Sequence, residues 1–208
     1  ARERATQAIY PLRGKVLNVM SNSNERFTDN KELNELIDII GAGTAKDWDE
    51  SKLRYEKVIM MTDADVDGSH IAALLMTFFY QLMPQLIHGG HLYLSCPPLY
   101  KVTHGTESVY VDTDEELEEL KETKYKNKKV EISRFKGLGE MMPNQLKETT
   151  MSVKTRRLIR VELPPRTEEG AEDAEKTKTL VSELMGKKPE FRFRFIAEHA
   201  KFVKDVFI

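Results

Sequence analysis

Between Lys57 and Ser95 the sequence passes from a short apolar stretch, KVIMMT, through a long amphipathic segment to a second short apolar stretch, HLYLS. KVIMMT is too short for a stable helix and runs into acids, the pattern of a buried parallel strand. From about Gly68 to Ile87, apolar residues fall at Ile71, Leu74, Leu75, Phe78, Phe79, Leu82, Met83 and Leu86. This is the wide stripe of a helix lying against a sheet. Gly89-Gly90 stops the helix, and His91–Ser95 supplies the next strand. Strand, helix and strand in that order predict a βαβ unit with parallel strands and a right-handed crossover, and so an α/β fold.

The flanks fill in around that unit. Ala1–Ile9 reads as the end of a helix, Arg13–Val19 as a strand or turn, and Ser21–Asn30 as polar loop. Leu33, Leu36, Ile37 and Ile40 have helical spacing, with Gly41 and Gly43 as the stop. Past Pro97-Pro98, Tyr100–Val102 and Ser108–Val111 predict a hairpin around His104-Gly105, and Thr113-x-x-Glu116 a capping box. Val130–Phe135 and Leu158–Leu163 read as strands. Met142–Thr149, Thr167–Met185 and Phe191–Phe202 read as helices, the first with Pro143 near its opening turn and the second frayed by Gly170.

Composition excludes several classes. With 40% hydrophobic and 32% charged residues in 208, the chain is globular rather than disordered. Its longest apolar stretch, Ile71–Met83, is broken by Thr77 and Gln81 and falls short of a membrane span. One cysteine, Cys96, cannot build an internal disulfide framework or a cysteine zinc site. No apolar run follows Ala1-Arg2-Glu3-Arg4, so no secretory signal is expected and the cytoplasm is the expected home. The net charge of −2 hides segregation: acids crowd Asp112–Glu122, followed by Lys124, Lys126, Lys128, Lys129, Arg134 and Lys136. Such basic stretches can meet phosphate, although solvated helix faces look the same in sequence.

The most informative chemistry is Thr62-Asp63-Ala64-Asp65-Val66-Asp67-Gly68, three alternating carboxylates between a strand and a helix. Ligands collect at the carboxyl ends of strands in open α/β sheets, and clustered acids repel unless a cation or shared protons relieve them. Hard oxygen donors suit magnesium or calcium. An EF-hand also starts D-x-D-x-D-G, but its twelfth loop position is Leu74 here and a strand precedes it. A phosphatase with an aspartyl nucleophile, or plain helix capping, could use the same acids. Asp67 alone suits a cap, yet three acids in five residues exceed what capping needs, and metal binding is favoured. Pro11-Leu12-Arg13-Gly14-Lys15-Val16-Leu17-Asn18 places two cations around a glycine, and Arg134-Phe135-Lys136-Gly137-Leu138-Gly139-Glu140 pairs glycines beside a candidate phosphate contact, Lys136. Taken alone, the first reads more readily as a surface turn, and the second suits a structural turn as well as a functional loop. His70, three residues after Asp67, could contact phosphate; His88, His91, His104 and His199 lack partners at ligand spacing and read as structural.

DADVDGSH, PLRGKVLN, GGHLYLSCPPLYKV and RFKGLGEMMPNQLKETTM all occur in this chain. Together they resemble the TOPRIM domain and following tail of the B subunits of bacterial type IIA DNA topoisomerases. The ending GKKPEFRFRFIAEHAKFVKDVFI and the form RFKGLGEMM are more similar to the topoisomerase IV branch than to gyrase. The resemblance implies a Rossmann-like parallel sheet flanked by helices over residues 1–112 and a smaller α+β tail over 113–208. It implies magnesium on Asp63, Asp65 and Asp67, DNA contacts from Lys15, Asn18 and His70, and a quinolone pocket beside Arg13; Lys136, the candidate phosphate contact read from the residues, joins the expected DNA contacts. Implied partners are double-stranded DNA, the topoisomerase A subunit in a heterotetramer, and fluoroquinolone-type inhibitors, with no membrane. In such enzymes a tyrosine of the A subunit attacks the DNA phosphodiester, and ATP is used by an N-terminal module. The family's catalytic glutamate, in an E-G-D-S motif upstream of P-L-R-G-K, has no counterpart in these residues. No catalytic residue is therefore assigned. The chain is expected to hold part of the metal site, to lack the first strand of the sheet, and to be inactive alone.

Overall fold

The computed structural model describes residues 1–22 and 29–202, so most of the loop expected over Ser21–Asn30 lies outside the described residues. In chain order its principal elements are α1 (Lys31–Ile40), β1 (Val58–Met60), α2 (Val66–Leu82), α3 (Pro84–His88), β2 (Leu92–Ser95), β3 (Tyr100–His104) and β4 (Glu107–Val111). There follow α4 (Asp114–Glu122), β5 (Glu131–Arg134), α5 (Pro143–Leu146), β6 (Leu158–Arg160), α6 (Ala171–Met185) and α7 (Pro189–His199). They fall into two compact units: residues 1–15, 57–73 and 92–161 form the first, and residues 16–56, 74–91 and 162–208 the second. The first unit draws on both sides of the 112/113 junction expected from sequence.

The first unit contains both sheets. β1 and β2 pair in parallel, Val58 opposite Leu92 and Met60 opposite Leu94, as the strand–helix–strand pattern predicts. β6 joins the far side of β2 in antiparallel register, Tyr93 opposite Arg160. The second sheet has the order β4-β3-β5, all antiparallel, with the hairpin where His104-Gly105 predicted it. Tyr100, Val102, Val111, Leu117 and Tyr125 form its buried core, with Leu99, Val109, Leu120 and Val130 packed at the margin. α4 delivers Leu117 and Leu120 from one face, three residues apart. Its cap is a shifted capping box. Thr113 accepts from the Glu116 N–H at 3.1 Å, but Glu116 Oε2 returns to the N–H of Asp112, one residue before the cap. Tyr100 donates its hydroxyl proton to Asp114, and Arg157 pairs with Asp112.

The second unit is helical. Asn30 caps α1 by accepting from the Leu33 N–H at 2.9 Å, and Leu33 and Ile40 are buried. Gly41 ends α1 at φ +85°, a left-handed conformation that favours glycine, and donates its N–H to Ile37. Residues 74–82 of α2 carry Leu74, Leu75, Phe78 and Phe79 into the interior, the two rings meeting edge-on at 5.1 Å. α6 and α7 are tied by Arg192, which donates to the Gly186 carbonyl at 2.6 Å, and by an Arg194–Glu183 pair at 2.8 Å.

Several boundaries differ from the expectation, each for a local reason. Ala1–Ile9 is not helical: Gln7 accepts from the Glu3 N–H at 2.8 Å and donates to the Met151 carbonyl, closing a turn instead. The helix expected over Gly68–Ile87 starts two residues earlier and breaks at Met83, because Pro84 has no N–H to donate and disfavours helical geometry in the residue before it. Met83 and Leu86 keep the apolar spacing and stay buried, so periodicity alone hides the break. α6 begins after Gly170, where the Pro165 carbonyl approaches too closely for a side chain, rather than at Thr167. α5 is one turn, continued by a wider turn over Lys147–Met151 in which Thr149 donates back to the Gln145 carbonyl at 2.8 Å.

Candidate functional site

β1 ends at Met60 and α2 begins at Val66, so the acids occupy the strand–helix connection and the first helical turn. All three are exposed, and each has a different partner. Asp65 Oδ1 accepts from the Gly68 N–H at 2.7 Å, the bond of a helix N-cap. Asp63 Oδ1 accepts from the Leu138 N–H at 2.8 Å. Asp67 Oδ1 lies 2.8 Å from Lys15 Nζ. The capping role that sequence placed on Asp67 therefore belongs to Asp65, because the helix already includes Val66 and Asp67.

Two glycines make this arrangement possible. A Cβ on Gly68 would stand 2.1 Å from the Asp63 carbonyl oxygen, so the acid-bearing loop folds back onto the first turn of α2 only because that position is bare. A Cβ on Gly137 would stand 2.8 Å from Asp63 Cγ, whereas one on Gly139 would meet nothing within 4 Å. The paired glycines of RFKGLGE are thus unequal, a distinction that no sequence signal carries. Gly14, between the exposed Arg13 and Lys15, adopts φ +116°, a conformation that L side chains rarely enter.

Of the other residues singled out from sequence, His70 is exposed near the start of α2, and Lys136 is exposed beside Gly137. The Lys136 N–H is held by Glu140 Oε2 at 2.8 Å. Asn18 lies in the second unit, where its amide donates to the Met185 carbonyl at 2.9 Å and its oxygen accepts from the Met20 N–H. His91 and His199 bond the carbonyls of Glu56 and Phe195, and His104 lies against the Tyr125 ring, in keeping with structural roles.

The Asp67 carboxyl is held below the ordinary aspartate range, chiefly by its hydrogen bond to Lys15, with a smaller contribution from His70. A lowered carboxyl contributes to stability above about pH 4 and loses that contribution as pH falls through its own pKa. Both side chains of the pair are largely exposed, so the effect on folding is small. The measurable consequence is local. Asp67 should titrate below the ordinary aspartate range in carbon-detected NMR, and Lys15→Met should raise its midpoint toward that range. An unchanged midpoint in Lys15→Met would show that the pair does not form in solution.

The donor set fits an open, hydrated magnesium site rather than a closed cage. Among the described residues, no group of three or more His, Cys, Asp and Glu side chains is placed to enclose an ion. Magnesium does not require one, since it keeps several waters and takes one or two carboxylates together with substrate phosphate oxygens. Asp63 and Asp65 are exposed and each has one oxygen anchored by a backbone N–H, so the second oxygen of each is the donor that a magnesium ion would take.

Residues 1–97 match the Toprim domain family, and residues 127–197 match the family described as DNA gyrase B subunit, carboxyl terminus. The chain is therefore an α/β protein carrying a Toprim domain of Rossmann-like type. It is 59% identical to the B subunit of DNA topoisomerase 4 from Caulobacter vibrioides over 97% of its length, covering 28% of that protein. It is 49% identical to the corresponding topoisomerase 4 protein of Bartonella bacilliformis over 99% of its length, covering 29% of it. It is 48% identical to the DNA gyrase B subunit of Thermotoga maritima, again over 99%, covering 31%. The chain belongs to the B-subunit family of bacterial type IIA DNA topoisomerases, and it spans less than a third of the length of these relatives. Among the described residues, no helix is long and apolar enough to cross a membrane.

Proposed function

We propose that this chain is the DNA-cleavage region of a type II topoisomerase, from a B subunit of the topoisomerase IV kind, with a Toprim domain over residues 1–112 and a tail over 113–208. The observation that carries the reading is the pair of strand-end carboxylates, Asp63 and Asp65, each anchored through one oxygen, beside a lysine poised at Asp67. Asp63 and Asp65 hold magnesium, with Asp67 as the third acid of the cluster. The bound ion supplies charge neutralisation at the scissile phosphate and its leaving oxygen.

The chain's own residues do the rest. Lys15 is restrained by an exposed ion pair worth little in water, so exchanging Asp67 for a DNA phosphate costs little. Gly14 keeps the backbone between Arg13 and Lys15 bare, which lets a phosphate approach closely. His70 and Lys136 add to the proposed DNA contacts of the first unit, Asn18 is proposed as a DNA contact of the second, and Arg13 borders the proposed fluoroquinolone pocket. The attacking tyrosine comes from the A subunit in a cytoplasmic heterotetramer on double-stranded DNA, with ATP consumed by another module of the full-length protein. Because the nucleophile belongs to the partner, this chain alone neither cleaves nor relaxes DNA.

The alternative that these acids only cap and dock predicts a different outcome for Asp65. Asn caps as well as Asp, so Asp65→Asn should keep stability within a few tenths of a kcal/mol, whereas Asp65→Ala should cost about 1 kcal/mol. If Asp65 carries magnesium, both variants lose metal-dependent cleavage in the reconstituted full-length enzyme despite their different stabilities. Full cleavage by Asp65→Asn would leave only the capping role.

A further inference from the structure

We propose that the loop Lys136–Glu140 sets the direction in which Asp63 presents its carboxylate, so that Gly137 and Leu138 are positioning residues for the metal. The proposal rests on the magnesium reading above and adds a purpose for a motif that reading leaves unexplained. An exposed aspartate on a connecting loop would ordinarily sample several rotamers. Here the Leu138 N–H, 75 residues away in sequence, fixes Oδ1 at 2.8 Å and leaves the second oxygen for a cation.

Gly137 supports the same conclusion independently. Its φ of −159° and ψ of 168° are extended backbone open to any residue, so conformation does not demand glycine. The three heavy atoms nearest an added Cβ are Cγ, Oδ1 and Oδ2 of Asp63, at 2.8, 2.9 and 3.1 Å. The missing side chain makes room for that carboxylate. Gly139, two residues on, has open space around it and serves as an internal control.

The loop can orient because it is itself held. Phe135 is buried and donates its N–H to the Leu99 carbonyl at 2.8 Å. The Lys136 N–H is bound by Glu140 Oε2, and the Glu140 N–H returns to the Gly137 carbonyl at 3.2 Å. A metal ligand oriented by a fixed backbone donor is the usual arrangement of an outer-shell partner.

The test uses the 208-residue chain, with manganese affinity read by electron paramagnetic resonance and magnesium followed at the Asp63 carboxyl carbon by NMR. Gly137→Ala pushes on the carboxylate. Leu138→Pro deletes the donor at the first position of a short 3-10 turn, where proline is tolerated, after an extended residue that proline accepts. Both should shift the Asp63 carboxyl resonance before metal is added and weaken binding about tenfold, the low end for loss of an outer-shell partner. Gly139→Ala and Leu138→Ala should stay within about twofold of the parent, well below that loss. Equal weakening in these controls would mean general loosening of the loop and would overturn the proposal. So would unchanged affinity in Gly137→Ala and Leu138→Pro while Asp63→Asn loses the metal. If Asp63→Asn itself binds as the parent does, the magnesium reading fails instead.

Discussion

Gly68→Ala should destabilise the protein by about 2–3 kcal/mol, the upper part of the range for overpacking, although glycine to alanine inside a helix normally gains about 1 kcal/mol. The sign reverses because the new methyl would stand 2.1 Å from the Asp63 carbonyl oxygen and also crowd the Asp63 nitrogen at 2.9 Å. These are backbone atoms, so no rotamer change relieves the clash. Either the acid-bearing connection lifts away or the first turn of α2 unwinds. Unwinding would break the Asp65–Gly68 cap and the bond from the Ser69 N–H to the Asp65 carbonyl at 3.0 Å. For a chain of this size, such a loss corresponds to a drop of roughly 5–10 °C in melting temperature. A variant melting at or above the parent would show that the connection does not fold back onto the helix.

Much of the local structure was legible because it depends on near neighbours. The βαβ unit follows from KVIMMT, the apolar stripe and HLYLS, and the hairpin from His104-Gly105 between apolar runs. The cap at Thr113 follows from a polar residue ahead of an acidic turn. What stayed hidden depends on distant partners or on single-residue boundaries. That β5 pairs with β3, and β6 with β2, is a choice among strands with similar patterns. The break at Met83 was masked because the residues after Pro84 continue the apolar stripe.

The site was legible in its acids and opaque in its support. Asp63, Asp65 and Asp67 look equivalent in sequence, yet one meets a distant loop, one caps a helix and one pairs with Lys15. Gly137 and Gly139 look equivalent too, and only the path of the backbone past Asp63 separates them. Sequence identifies residue types suited to a chemistry, whereas their assignment to tasks comes from contacts that form on folding.

The second large effect concerns Asp63 and bears on the whole functional account. Its carboxylate is exposed, its bond to Leu138 is to backbone, and its removal leaves no buried group without a partner. Asp63→Ala should therefore fold close to normally, since losing an exposed polar contact costs about 1 kcal/mol or less. Its effect on cleavage should be far larger, because the lost carboxylate is a proposed anchor for the charge that stabilises the reacting phosphate. A drop of at least about a hundredfold is expected, on the scale of removing one preorganised transition-state contact. The decisive measurement is the magnesium dependence of covalent protein–DNA product, formed when the full-length protein carrying Asp63→Ala is combined with its A-subunit partner. The expected result is a folded, partner-binding protein that yields almost no product at any magnesium concentration. Product at the parent's level, with the same magnesium dependence, would contradict the account.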